Sequence, residues 1–159
     1  MMELTLVAKA AFAGILLLAA WSDARRFLIP NMYPLLLVGL SALALATGFP
    51  FIGPAWSHLA HFAIALVVGM ALFHFRWFGG GDVKLYAAVA LWFPLGAGWF
   101  LLMATGLGGA VIVILSMAVR LLRLAFGSGE RRSRFFDRRI AYGVAIAAGG
   151  IASLLWFYP

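Results

Sequence analysis

The sequence predicts an all-α integral membrane protein, a bundle of six transmembrane helices, and three observations carry that prediction. Of its 159 residues, 65% are hydrophobic and 11% charged, against roughly half and a quarter in soluble domains. The apolar residues run in unbroken stretches near the ~20 residues that a helix needs to cross a bilayer. The basic residues gather between alternate stretches, where topology signals belong. Strands are excluded because a barrel would alternate apolar and polar positions.

The first span covers 4–21. Its only basic residue, Lys9, lies inside the apolar run and Glu3 precedes it, so the basic start of a signal peptide is missing and the segment is expected to be retained. Span two covers 32–48; Pro30 blocks helix continuation before it, and Asn31 is expected to cap it. Span three covers 56–75. The fourth, 83–93 continuing toward Gly96, is short and breaks near Pro94. Spans five and six cover 99–119 and 140–157. A single transmembrane domain over 1–159 is expected, with no separate soluble module.

The formal charge of +7 would suggest nucleic acid in a soluble protein, but the arginines lie between spans. No nucleic-acid partner is expected; the lipid bilayer is the partner. Arg25 and Arg26 separate spans one and two, Arg76 and Lys84 flank the turn between three and four, and seven arginines from Arg120 to Arg139 fill the stretch between five and six. Only Lys9, of twelve basic residues, falls elsewhere. The positive-inside rule puts those loops in the cytoplasm and both termini outside. The basic loop is read as topology plus attraction to anionic lipid. The absence of cysteine excludes disulfides, thiolate zinc sites and a cysteine nucleophile.

Five acidic residues exist: Glu3, Asp23, Asp82, Glu130 and Asp137. Asp23 closes span one in Trp21-Ser22-Asp23, and Asp82 opens span four in Phe78-Gly79-Gly80-Gly81-Asp82-Val83-Lys84. The topology sets both at the cytoplasmic boundary. A charged group at the centre of a membrane helix costs ~2.5–3.5 kcal/mol, so such acids are retained for a reason. Singly, Asp82 could be a helix cap and Asp23 a partner of Arg25 or Arg26. Together they suit a dyad: close carboxylates share a proton, the ionised one activating water and the protonated one stabilising a developing oxyanion. Three consecutive glycines exceed what one cap requires, and are expected to supply unusual dihedrals and close approach of another backbone.

Gly79-Gly80-Gly81-Asp82-Val83-Lys84 resembles the Gly-x-Gly-Asp-x-Lys signature of the type IV prepilin peptidases. Asp23 followed by Ile29-Pro30-Asn31 is similar to that family's first aspartate motif, and 140–149 to a third segment. Presenilin-like and archaeal preflagellin peptidases belong to the same wider class. The resemblance implies a bacterial inner-membrane aspartic endopeptidase that removes the cytoplasmic leader of prepilins or pseudopilins in pilus assembly or protein secretion. It implies Asp23 and Asp82 as the catalytic pair, with Gly79, Gly80, Gly81, Lys84, Pro30 and Asn31 binding substrate or supporting the site. Ala141 stands where the family often has proline. The Cys-x-x-Cys region of bifunctional members has no counterpart, so the chain resembles the short, peptidase-only branch associated with Flp-type pilins. No methyltransferase activity, metal or other cofactor is expected.

Lys84 can snorkel to the phosphate level, tune Asp82 or touch substrate. His58 and His61 have helical spacing but no further ligand, and interfacial anchoring is preferred to a metal site. Trp56, Trp77, Trp92, Trp99 and Trp156 are read as aromatic-belt anchors. Gly106, Gly108, Gly109, Gly149 and Gly150 are read as close-packing positions. The competing functions are a small proton-coupled membrane transporter and an inactive pilus or secretion assembly factor. A relay would distribute acids across the bilayer; both aspartates lie on one side.

Overall fold

The computed structural model describes residues 2–126 and 141–159. Helix α1 spans Met2–Arg26, α2 Met32–Ala46, α3 Ala55–His74, α4 Gly80–Ala90, α5 Gly98–Phe126 and α6 Tyr142–Phe157, with a short 3-10 turn at Leu95–Ala97 before α5. No strand occurs among the described residues. The described residues are otherwise helix and connecting turns, and three stretches among them are long and apolar enough to cross a membrane: Thr5–Arg26, Ala55–His74 and Leu95–Val119. Helices α2 and α6 are shorter but apolar.

Helix α1 runs beyond its expected end and carries Asp23 within its last turn. It stops at Phe27, which adopts a left-handed backbone (φ 51°) while its N–H donates to Asp23 O at 2.8 Å. The chain then turns back through Ile29 and Pro30 into α2. Asn31 occupies the position before α2, but its side chain makes no capping bond. The start expected at residue 140 for α6 falls outside the described residues, as does the arginine-rich loop.

Helix α4 is the unusual element. Its 11 residues extend only about 16 Å at ~1.5 Å per residue, half the ~30 Å hydrocarbon core. Val83, Leu85 and the run from Ala87 to Ala90 are buried, so α4 is a core helix packed on α2, α3 and α6. After it, Trp92 and Phe93 turn inward and Pro94 ends the segment.

Trp92 is 0% exposed, which corrects its reading as a membrane-interface anchor. Its indole N–H donates to Leu37 O at 3.2 Å, and its ring packs against Phe12, Phe49 and Phe51. Trp56, Trp77, Trp99 and Trp156 remain exposed. His58 and His61 are also buried rather than interfacial. The His58 ring nitrogens lie 3.1 Å from Leu91 O and 3.0 Å from Ile52 O, and His61 Nδ1 lies 3.0 Å from Phe93 O. The turn that follows α4 leaves the carbonyls of Leu91 and Phe93 without a next helical turn, and these imidazoles meet them from α3. Tyr158 closes the same end, donating its hydroxyl to Trp92 O at 2.9 Å.

Small residues bring α5 and α6 together, as in membrane helix pairs generally. A side chain on Gly149 would collide with the Thr105 backbone, and one on Gly108 would meet Ala145 O at 3.4 Å. Gly106 differs: a side chain there would meet no other part of the protein within 4 Å, and it faces a groove instead.

Candidate active site

Asp23 is 5% exposed, and its Oδ2 accepts the backbone N–H of Gly143 at 2.7 Å. That N–H belongs to the first turn of α6, where it has no partner within its own helix. The arginines stay out of this contact: Arg25 stacks over the Trp21 ring at 4.0 Å. A Cβ at residue 143 would lie 2.8 Å from Asp23 Oδ2 and 2.8 Å from Ile29 Cδ1. Only glycine permits this approach.

Asp82 sits in the first turn of α4, and Gly79, not Asp82, takes the capping position. Its carboxylate folds over Gly79, where an added Cβ would lie 2.7 Å from Oδ2. Among the described glycines, positive φ occurs at Gly48 and Gly53, so the run 79–81 is not there for unusual dihedrals. Close approach explains it. A Cβ on Gly81 would come 3.0 Å from Ile29 Cβ and 3.2 Å from Ile29 O, and one on Gly80 would meet the Phe73 ring at 3.3 Å.

Ile29 is therefore the common neighbour. It is buried, wedged between Gly81 of α4 and Gly143 of α6, beside the Asp23 side chain. Lys84 Nζ donates to Asn31 Oδ1 at 3.0 Å, joining α4 to the turn that carries Ile29 and Pro30.

From Asp82 a groove of about 600 Å³ runs between α3, α4, α5 and α6. Phe78 and Tyr142 flank the Asp82 end, their rings 5.5 Å apart. Thr105 lies midway, and His61 and Gly98 stand at the far end. Asp82 lines this groove, while Asp23 lies behind Ile29 and Gly143.

The sequence pattern identified both aspartates and their flanking motifs. It did not assign a role to Ile29, Gly143, Tyr142 or Phe78. Only the Ile-Pro-Asn run and the segment at 140–149 hinted at them, and neither shows which backbone amide meets which carboxylate.

Two comparisons, with curated proteins and with solved structures, find no match. The model of the type IV leader peptidase family matches residues 10–128. That stretch contains both aspartates and the turn at Ile29, and ends before the α6 residues that hold Asp23. With most of its length matched, the chain belongs to the type IV leader peptidase family.

Proposed function

We propose that this peptidase is an aspartic endopeptidase with Asp23 and Asp82 as its catalytic dyad, cutting the leader from Flp-type prepilins or pseudopilins. The observation that carries this is the approach of the buried Asp23 on α1 and the half-buried Asp82 on α4 from two sides of the Ile29 wedge, with Asp82 at the head of a long apolar groove. In a dyad, one carboxylate is ionised and takes a proton from the attacking water. The other donates a hydrogen bond to the scissile carbonyl as the oxyanion forms. The amine leaves with a proton returned from the dyad. No metal or organic cofactor enters these steps.

The groove supports a helical substrate. Along α5 it extends from Gly98 to Val113, about 22 Å at ~1.5 Å per residue, which suits some fifteen residues of apolar helix. A pilin helix lying there brings its cytoplasmic end to Asp82, and this positioning supplies much of the catalysis. We place the dyad at the cytoplasmic face of the bacterial inner membrane, with both termini outside and the whole chain as one transmembrane peptidase domain. The long helices cross the bilayer, and α2, α4 and α6 complete the six-helix bundle. A proton relay has less support, since the groove beyond Asp82 is walled mainly by Val, Leu, Ile, Ala and Gly.

The test is cleavage of a full-length Flp-type prepilin in membranes, with the cut located by mass spectrometry. A single cut at the leader junction, lost in Asp23→Asn and Asp82→Asn, is expected. Normal processing by either variant would remove the dyad assignment.

A further inference from the structure

Asp23 belongs to the last turn of α1 and Asp82 to the first turn of α4. Two links cross between these segments. One is steric: Ile29 touches Gly81 on one side and Gly143 on the other. The second is polar: the ammonium of Lys84 donates to the Asn31 amide oxygen at 3.0 Å, two residues beyond Ile29.

Lys84 cannot serve Asp82 directly. Residues two apart on a helix point to nearly opposite sides, and Lys84 is engaged on the α2 side by Asn31. The Asn31 side chain in turn makes no capping bond to its own helix. Each side chain thus has the other as its partner and no local duty. The turn they fix is short: Pro30 lies between the wedge and the amide, and its ring restricts the backbone on both sides. A shift of Asn31 therefore moves Ile29, and a shift of Ile29 moves both glycine contacts.

We propose that Lys84 is a positioning residue whose hydrogen bond to Asn31 pins the Ile29–Asn31 turn against the start of α4 and so sets the separation of Asp23 from Asp82. This rests on the dyad assignment above. The role is mechanical: the link matters, and the positive charge does not.

The absence of cysteine makes the decisive experiment clean. Prepilin cleavage in membranes is measured for wild type, Lys84→Met, Asn31→Leu, the double variant, and Asn31→Cys/Lys84→Cys before and after bridging with a short bifunctional thiosulfonate. Asp23→Asn is run alongside. Each single variant is expected to lose tenfold or more in kcat with KM little changed, and the double variant to be no worse than the singles. The neutral bridge is expected to restore most of the lost kcat, which no charge-based role of Lys84 would allow. Additive losses, a loss confined to KM, or full bridging without recovery would overturn the proposal. Should Lys84→Met fail to insert, the bridged pair gives the answer alone. Retained cleavage by Asp23→Asn would instead remove the dyad, an outcome read separately from the bridge.

Discussion

At the end of the bundle away from the aspartates, Phe12, Phe49, Trp92 and Tyr158 pack ring against ring. There His58, His61 and Tyr158 meet the carbonyls of the turn that follows α4. At the aspartate end the contacts are made by glycines, a single isoleucine wedge and two polar links. The first end is packed with rings and bonded; the second is closely approached, and there Asp82 faces the groove. Large aromatic rings bury much area and stabilise a fold. Glycine contacts add little area, yet they let carboxylates and backbone amides come within hydrogen-bond reach. On the proposed assignment, stability is concentrated at one end and chemistry at the other, so substitutions at the two ends should fail in different ways.

The largest separation is expected from Asp23→Asn and Asp82→Asn. Each should lower cleavage by about 10²–10⁴-fold, the range of general acid–base contributions, with thermal unfolding in detergent nearly unchanged. Gly143→Val comes next. Its side chain would occupy the space of Asp23 Oδ2 and Ile29 Cδ1, and cleavage measured per inserted molecule should fall by more than tenfold. Gly81→Val should behave similarly through Ile29; activity equal to wild type would refute the close-approach account.

At the opposite end the property affected changes. Trp92→Ala should cost about 3–5 kcal/mol of stability, as large-to-small core substitutions do, seen as a lower unfolding midpoint. The surviving folded fraction should cleave at the wild-type rate. Loss of kcat without loss of stability would dissolve the distinction between the ends. The smallest effect is expected for Ala141→Pro. Ala141 already has φ −75°, within the range proline adopts, and both activity and midpoint should stay close to wild type.

Legibility in the sequence followed the same division. The aspartates were legible because each sits in a local motif, and the helices because apolar runs of membrane length leave few alternatives. The partners of those aspartates were not, because Gly143 reaches Asp23 only after α6 folds back beside α1. The glycine run illustrates the limit well. It signalled close approach of another backbone, and nothing in the run shows that the approaching backbone is that of Ile29. Trp92, His58 and His61 looked interfacial by position along the chain, yet the shortness of α4 drops its end into the protein interior and draws them inward. Asn31 had the residue type of a cap, but Lys84, far along the chain, claimed its side chain.

The central claim, that Asp23 and Asp82 act as one catalytic unit, is tested most directly by single-turnover prepilin cleavage with wild type, Asp23→Asn, Asp82→Asn and the double variant. Residues that act as a unit show non-additive losses, so the double variant should be no slower than the worse single variant. Losses that multiply, or appreciable cleavage by the double variant, would contradict a dyad.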